Sequence, residues 1–118
     1  MIEQPVESPG HVPERYVCVW EFHVSPAREK EFVAAYGPFG EWAQLFRQAE
    51  GYIETLLLRD QQVSGRFLTV DRWRSQRAHD MFLLSFGREY EALDRRCASL
   101  TEHEANLGSY WEHLGQAR

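Results

Sequence analysis

The chain is short of the features that most readily announce a function. Among its 118 residues there are only two cysteines, Cys18 and Cys97. They can close at most one disulfide, and each sits in an apolar pattern, so both read as small buried hydrophobes rather than as a redox pair. No apolar stretch nears the ~20 residues that span a bilayer, and the opening MIEQPVESPGHVPER has neither the basic start nor the apolar run of a secretory signal. Positive charge is in deficit: 13 Lys and Arg stand against 18 Asp and Glu, a net charge of -5. Such a balance leaves no footprint for a phosphate backbone or an anionic lipid surface. The expectation is a cytoplasmic protein that engages neither nucleic acid nor membrane. A Gly-rich phosphate loop, a nucleophile elbow and an internal repeat are missing as well. The five histidines are scattered. His103 and His113 are flanked by Glu102, Glu104 and Glu112 but lack the spacing of a zinc site, so no metal is expected.

Apolar and aromatic residues are plentiful, at 43% and 14% of the chain, enough for one packed domain. Residues 1 to 14, with Pro5, Pro9, Gly10 and Pro13 and no periodicity, read as a flexible N-terminal arm ahead of a single domain over 15–118. YVCVWEFHV (16 to 24) predicts a strand, and Ser25-Pro26 an N-cap and first-turn proline for a helix. That helix presents Phe32, Val33 and Tyr36, breaks at Gly37-Pro38, and resumes with Trp42, Leu45, Phe46 and Ala49 until Gly51. YIETLLLR (52 to 59) and RFLTVDRW (66 to 73) form a hairpin across DQQVSG. Ser75 caps a helix whose stripe runs Ala78, Met81, Phe82 and Phe86, bends near Gly87, and continues through Tyr90, Leu93, Cys97 and Leu100. TEHE from Thr101 has the spacing of a capping box, and residues 107 to 114 predict a last short strand. The order β-α-β-β-α-β is that of an α+β, ferredoxin-like fold: one antiparallel sheet with helices on one face.

The uncovered face of such a sheet would hold large apolar side chains, which predicts a homodimer closing face to face around a barrel-like space. Alternation along the first strand places Cys18, Trp20, Phe22 and Val24 toward the helices and Val17, Val19, Glu21 and His23 on the open side. For the third strand, Leu68 and Val70 are assigned to the helices, and Phe67, Thr69, Asp71 and Trp73 to the open side. Glu21, His23, Thr69 and Asp71 then gather beside an aromatic wall, a set suited to acid-base work where partial burial shifts pKa values. A solvated or dimer-paired polar cluster is the plainer alternative. Arg66, Arg72, Arg74 and Arg77 are expected on a solvated face, pairing with Asp71 and Asp80. Trp20, Trp42 and Trp111 read as packing or dimer contacts.

The segments VWEFHVSPAREKEFVAAYGP, WAQLFRQAEGYIETLLLRD and RFLTVDRWRSQRAHDMF, with a strand ending in Trp73-Arg74-Ser75 before a helix, together resemble the antibiotic biosynthesis monooxygenase family of dimeric α/β barrels. The resemblance spans about residues 16 to 112. It implies a homodimer and an oxygenase that needs neither metal nor flavin, since a deprotonated aromatic phenol itself supplies the electron to oxygen. Such chemistry calls for a dry aromatic cavity, a group that takes the phenolic proton, and donors for the resulting anion. The family pattern has asparagine and tyrosine at the positions that Thr69 and His79 occupy here. By the resemblance Trp73, Thr69, His79 and His23 are the catalytic candidates, with His79 or His23 as base and Thr69 and Trp73 as donors. Phe67, Asp71, Glu21 and Phe82 are candidates for substrate contact. The haem-degrading branch of the same superfamily fits less well, because Phe22 stands where that branch has asparagine, and Leu83 and Leu84 lie near the place of its iron-ligating histidine.

The reading is thus of a cofactor-independent monooxygenase acting on a small hydrophobic, aromatic or quinone-like compound. The alternatives are a ligand-binding or merely associative homodimer of the same fold, and an isomerase or lyase that moves protons.

Overall fold

The computed structural model describes residues 14–115. The proposed N-terminal arm lies outside them except for Glu14, which already belongs to the first strand. In chain order come β1 (Glu14–His23), a short 3-10 turn (Pro26–Arg28), α1 (Glu29–Tyr36), α2 (Glu41–Phe46), β2 (Tyr52–Arg59), β3 (Arg66–Trp73), α3 (Gln76–Cys97), a second 3-10 turn (Ala98–Leu100) and β4 (His103–His113). The four strands form one antiparallel sheet in the order β2-β3-β1-β4. This is the expected ferredoxin-like α+β arrangement, with β1 and β3 at its centre.

Several boundaries follow local chemistry. Gly37-Pro38 separates α1 from α2, as the sequence predicts. Ser75 caps α3, its hydroxyl accepting from the Ala78 amide at 3.1 Å. The bend expected near Gly87 falls at Phe86, whose φ of -121° and ψ of 23° interrupt an otherwise continuous helix. Ser25 precedes the first helical turn but makes no side-chain cap, and Pro26 instead opens a 3-10 turn. Helix α2 stops at Phe46, short of Gly51, because the amides of Gln48 and Ala49 tighten onto the carbonyls of Leu45 and Phe46. The TEHE segment starts no helix. Glu102 donates its amide to the His23 carbonyl at 2.8 Å and His103 already pairs with His23, so the edge of β1 draws this stretch into β4 four residues earlier than the pattern suggested. Val33 and Met81, assigned to apolar stripes, are exposed, and Ala35 takes the inward position on α1.

The core lies between the helices and one face of the sheet. Phe32, Phe82 and Trp73 are its most deeply buried large side chains, and Trp73 is 1% exposed. The indole sits within 5.3–5.6 Å, centroid to centroid, of Phe46, Tyr52 and Phe82, and such aromatic contacts add about 1 kcal/mol each beyond burial.

The cross-strand register corrects one expectation. Directly opposed residues of antiparallel strands share a face. Tyr16 opposes Trp73, Cys18 opposes Asp71, Trp20 opposes Thr69 and Phe22 opposes Phe67. Phe67, Thr69, Asp71 and Trp73 therefore point toward the helices, together with Cys18, Trp20 and Phe22. Leu68 and Val70 face the open side, opposite Glu21 and Val19. By apolarity alone Leu68 and Val70 are the buried pair of β3, but its pairing with β1 sets the opposite facing. A single chain thus removes Trp73 from solvent without a second sheet.

The open face is apolar in its middle and ionic at its ends. Leu56, Val70 and Val19 form one cross-strand row and Leu58, Leu68, Glu21 and Ala105 the next. At one end Arg66 bonds Glu21 and Asp60, and at the other Arg72 bonds Glu54 and Glu112. These arginines therefore find other partners than Asp71 and Asp80.

Gly51 joins α2 to β2 at a φ of 93°, and a Cβ there would stand 2.4 Å from the Ala78 Cβ on α3. Its carbonyl also accepts from the Arg74 amide at 2.7 Å. Gly51→Ala is expected to lower stability by at least about 1–2 kcal/mol from the left-handed backbone alone. Chemical denaturation checks this, with Gly87→Ala inside α3, which meets no neighbour within 4 Å, as a control expected to gain up to about 1 kcal/mol.

Candidate functional site

Two adjoining cavities open between the helices and the sheet. The larger, about 290 Å³, is walled by Trp20, Phe22, Tyr36, Trp42, Phe46 and Tyr90, with Thr55, Thr69, Asp71, Asp94 and Glu104 as its polar lining. The smaller, about 190 Å³, is lined among others by Cys18, Trp73, His79, Phe82, Asn106 and Ser109, and shares Trp20, Phe46, Asp71 and Tyr90 with the first. The larger is at the lower end of small-molecule sites, which start at roughly 300 Å³.

Asp71 stands on the shared wall. Thr55 Oγ1 donates to its Oδ1 at 2.6 Å. The Tyr52 hydroxyl lies 2.7 Å from Thr55 Oγ1, and since Thr55 gives its one proton to Asp71, Tyr52 is the donor to Thr55. Among the described residues nothing else hydrogen-bonds the carboxylate, so its second oxygen is left for whatever enters the cavity. Burial raises the Asp71 pKa to about 6, opposed in part by the Thr55 hydrogen bond. Burial likewise raises the phenols of Tyr36, Tyr52 and Tyr90 and pushes the Cys18 thiol up to about 11. The tyrosines thus remain donors at neutral pH, and Cys18 an unreactive thiol.

Two irregularities in the sheet build this lining. Residues three apart on a regular strand face opposite sides. Tyr52 and Thr55 nevertheless both lie on the helix side, because the β2–β3 register shifts between Tyr52 and Glu54 and leaves one extra residue. Asn106 and Ser109 repeat the device on β4. There the register with β1 shifts between Val19 and Trp20, and Gly108 takes a φ of 125°. Each bulge brings a second polar side chain into a cavity that strict alternation would deny it.

The residues singled out from sequence divide clearly. Trp73, Thr69, Asp71, His79 and Phe82 lie on the helix side, and all of them line one or other cavity. His79 is placed by aromatic contact with Trp73 at 5.4 Å and Tyr16 at 5.2 Å, while its Nδ1 lies 3.3 Å from Asp80 Oδ1. Phe67 is packed in the core against Phe32 at 5.0 Å and lines neither cavity. Glu21 and His23 are on the opposite face of the sheet, where His23 Nε2 approaches Glu21 at 3.3 Å and Arg66 holds the Glu21 carboxyl below its usual range. The expected gathering of Glu21, His23, Thr69 and Asp71 is therefore two separate pairs. Trp20 and Trp42, read from sequence as packing or dimer contacts, do pack in or against the core and also wall the larger cavity. Tyr52 and Thr55 were missed; only the bulge reveals them, and no sequence period signals it. Among the described residues no three His, Cys, Asp or Glu side chains converge as a metal site would require, and no helix is long and apolar enough to cross a membrane.

The family model described as antibiotic biosynthesis monooxygenase matches residues 15–85. Among solved structures the chain is similar to SnoaB, a cofactor-independent oxygenase from Streptomyces nogalater, at 17% identity and a TM-score of 0.60, covering 88% of this chain and 96% of that one. It is also similar to a putative antibiotic biosynthesis monooxygenase from Deinococcus radiodurans (18% identity, TM-score 0.61, 87% and 95% covered) and to PA3566 from Pseudomonas aeruginosa (14%, 0.57, 91% and 100%). At these identities the likeness speaks for the fold. No protein of curated function matches the chain.

Asp71 makes a prediction independent of any reaction. Its folded pKa of about 6 exceeds the unfolded value, so between those two pH values the native state binds more protons and stability falls as pH rises. The ionised group costs on the order of 2–3 kcal/mol at neutral pH. Asp71→Asn is expected to be more stable than the parent at neutral pH, with the difference vanishing near pH ~4. Denaturation midpoints across that range measure it, and a parent curve flat through pH ~6 contradicts the assignment.

Proposed function

We propose that this chain, which belongs to the antibiotic biosynthesis monooxygenase family, is a cofactor-independent monooxygenase that oxidises a small aromatic or quinone-like compound held between sheet and helices. The observation that carries the reading is Asp71: a carboxylate with one oxygen fixed by Thr55 and the other open to an aromatic cavity.

In the proposed reaction Asp71 accepts the proton of an aryl hydroxyl. An ordinary phenol at pKa ~10 lies about four units above Asp71, an uphill transfer of roughly 5 kcal/mol. A carboxylate alone is therefore insufficient, and the anion needs donors or a substrate acidified by its ring system. Thr69 and the phenols of Tyr36 and Tyr90, all on the cavity wall, are the donors on hand. The arene anion then gives one electron to oxygen, the radical pair recombines at a ring carbon, Asp71 returns its proton to the peroxide, and loss of water, which takes the hydrogen of that ring carbon, leaves a carbonyl. The ring C–H and the aryl O–H with O2 become two C=O groups and H2O, so the substrate supplies all four electrons. Trp73 and Phe82 exclude water around the second cavity, where His79 is the alternative base.

Oxygen uptake with a panel of hydroxylated naphthalenes and anthracenes, on protein stripped of metal, tests this. Asp71→Asn is expected to cut kcat/KM by about 10²–10⁴ and to remove a rise in rate with pH through ~6. His79→Ala serves as the comparison, and a loss confined to His79→Ala would move the base from Asp71 to the histidine. No uptake by the parent across the panel would transfer the reading to a ligand-binding role.

The sheet's open face supports a homodimer in the same proposal. Leu58, Leu56 and Tyr110 are 47%, 38% and 51% exposed there and flank the apolar rows described above, a strip typical of a partner surface. Sedimentation equilibrium is expected to give two chains per particle, and Leu58→Glu, which sets a charge in the strip, to give one.

A further inference from the structure

The larger cavity carries an electrostatic bias that the oxygenase reading does not use. Its lining includes three carboxylates, Asp71, Asp94 and Glu104, and no lysine or arginine. Six other acids pair with arginine, Glu21 and Asp60 with Arg66, Glu54 and Glu112 with Arg72, Glu31 with Arg28 and Glu41 with Arg96, while Glu29, Glu50, Glu89, Glu91 and Glu102 stand unpaired among the described residues outside the cavity. None of the cavity's three forms an ion pair among the described residues. Asp94 and Glu104 stand at the exposed rim, near enough that Asp94 adds to burial in raising the Glu104 carboxyl. Unpaired like charges brought together at a cavity mouth are unfavourable in the empty protein and are relieved by a cation.

The walls point the same way. Trp20, Phe22, Tyr36, Trp42, Phe46 and Tyr90 form an aromatic enclosure, and aromatic faces attract ammonium groups by about 0.5–2 kcal/mol. Trp42 is 8% exposed, and its buried indole N–H makes no well-formed hydrogen bond, with the Tyr36 hydroxyl and Cys97 thiol beside it. Two rim carboxylates do not amount to a metal site, since no three ligating side chains converge among the described residues.

We propose that the cavity selects an aryl hydroxy compound bearing a positively charged amine, its ring among the aromatic walls and its ammonium between Asp94 and Glu104, and that it rejects carboxylated analogues. The proposal rests on the cavity being the substrate site and deepens that reading by naming the substrate class.

Three naphthols matched in size test it: unsubstituted, aminomethyl-substituted and carboxylate-substituted. Binding is read from quenching of tryptophan fluorescence at neutral pH. The ammonium compound is expected to bind at least about tenfold more tightly than the carboxylate, with a gap that shrinks in high salt. Asp94→Asn/Glu104→Gln is expected to close most of that gap; both residues are exposed, and circular dichroism verifies that the double variant is folded. Equal binding of the two charged naphthols, or a gap that survives the double substitution, overturns the proposal. Oxygen uptake with the neutral naphthol reports on the oxygenase reading separately. Uptake without charge preference overturns the substrate class alone, and charge preference without uptake supports it while removing the oxygenation.

Discussion

The pairing of β1 with β3 is the constraint from which the rest of the structure follows. Once Trp20 opposes Thr69 and Cys18 opposes Asp71, one face of the central strand pair is committed to the helices, and with it every polar group that β3 contributes to the cavities. A slip of one residue would send Asp71 and Trp73 to the open face and bring Leu68, Val70 and Arg72 inward. Burying Arg72 would strand a guanidinium that now holds two carboxylates, whereas burying Trp73 completes an aromatic cluster. The register is thus fixed by a large apolar gain on one side and a large desolvation penalty on the other.

The order of elements was legible in the sequence because each has a local signature: β-branched and aromatic runs for the strands, Gly37-Pro38 and Ser75 as breaks and caps. The facing of β1 was legible for the same reason, since Cys18, Trp20, Phe22 and Val24 make one wholly apolar set. β3 deceived because its inward set mixes Phe67 and Trp73 with Thr69 and Asp71, while its outward set includes Leu68 and Val70. An apolar count cannot tell a polar residue in a cavity from one in water. Only the pairing with β1 decides it, and that is a long-range contact. The bulges at Ile53 and Leu107 are likewise invisible to a period of two, so Tyr52 and Thr55 had no signal of their own. His23 and Glu21 were attractive as chemistry, but a sheet has two faces and they lie on the one without the cavities.

The two bulges also explain how a sheet this small lines two cavities with polar groups and keeps its ladder. Each inserts a single residue and restores the pairing beyond it, so the backbone loses little while one more side chain is turned inward. On β2 that side chain is Thr55, whose hydroxyl lies between Tyr52 and Asp71. The chain of hydroxyls fixes one oxygen of the carboxylate and leaves the other without a protein partner among the described residues, an asymmetry that a fully solvated or fully paired acid would lack.

In the proposed reaction that asymmetry favours Asp71 over His79 as the base. His79 lies at the rim of the second cavity, held by Trp73 and Tyr16, with a ring nitrogen turned to Asp80 at the surface. A proton taken there can pass to solvent. Asp71 lies between the cavities, where burial has already moved its pKa to about 6. The energy spent on that burial is spent against the charged form, so the same environment that weakens the fold strengthens the base. In the proposed reaction the step that needs a base occurs where the substrate ring is enclosed, and of the two groups only Asp71 meets both cavities. A histidine at the edge is then suited to receiving protons that leave, and the carboxylate at the centre to starting the chemistry.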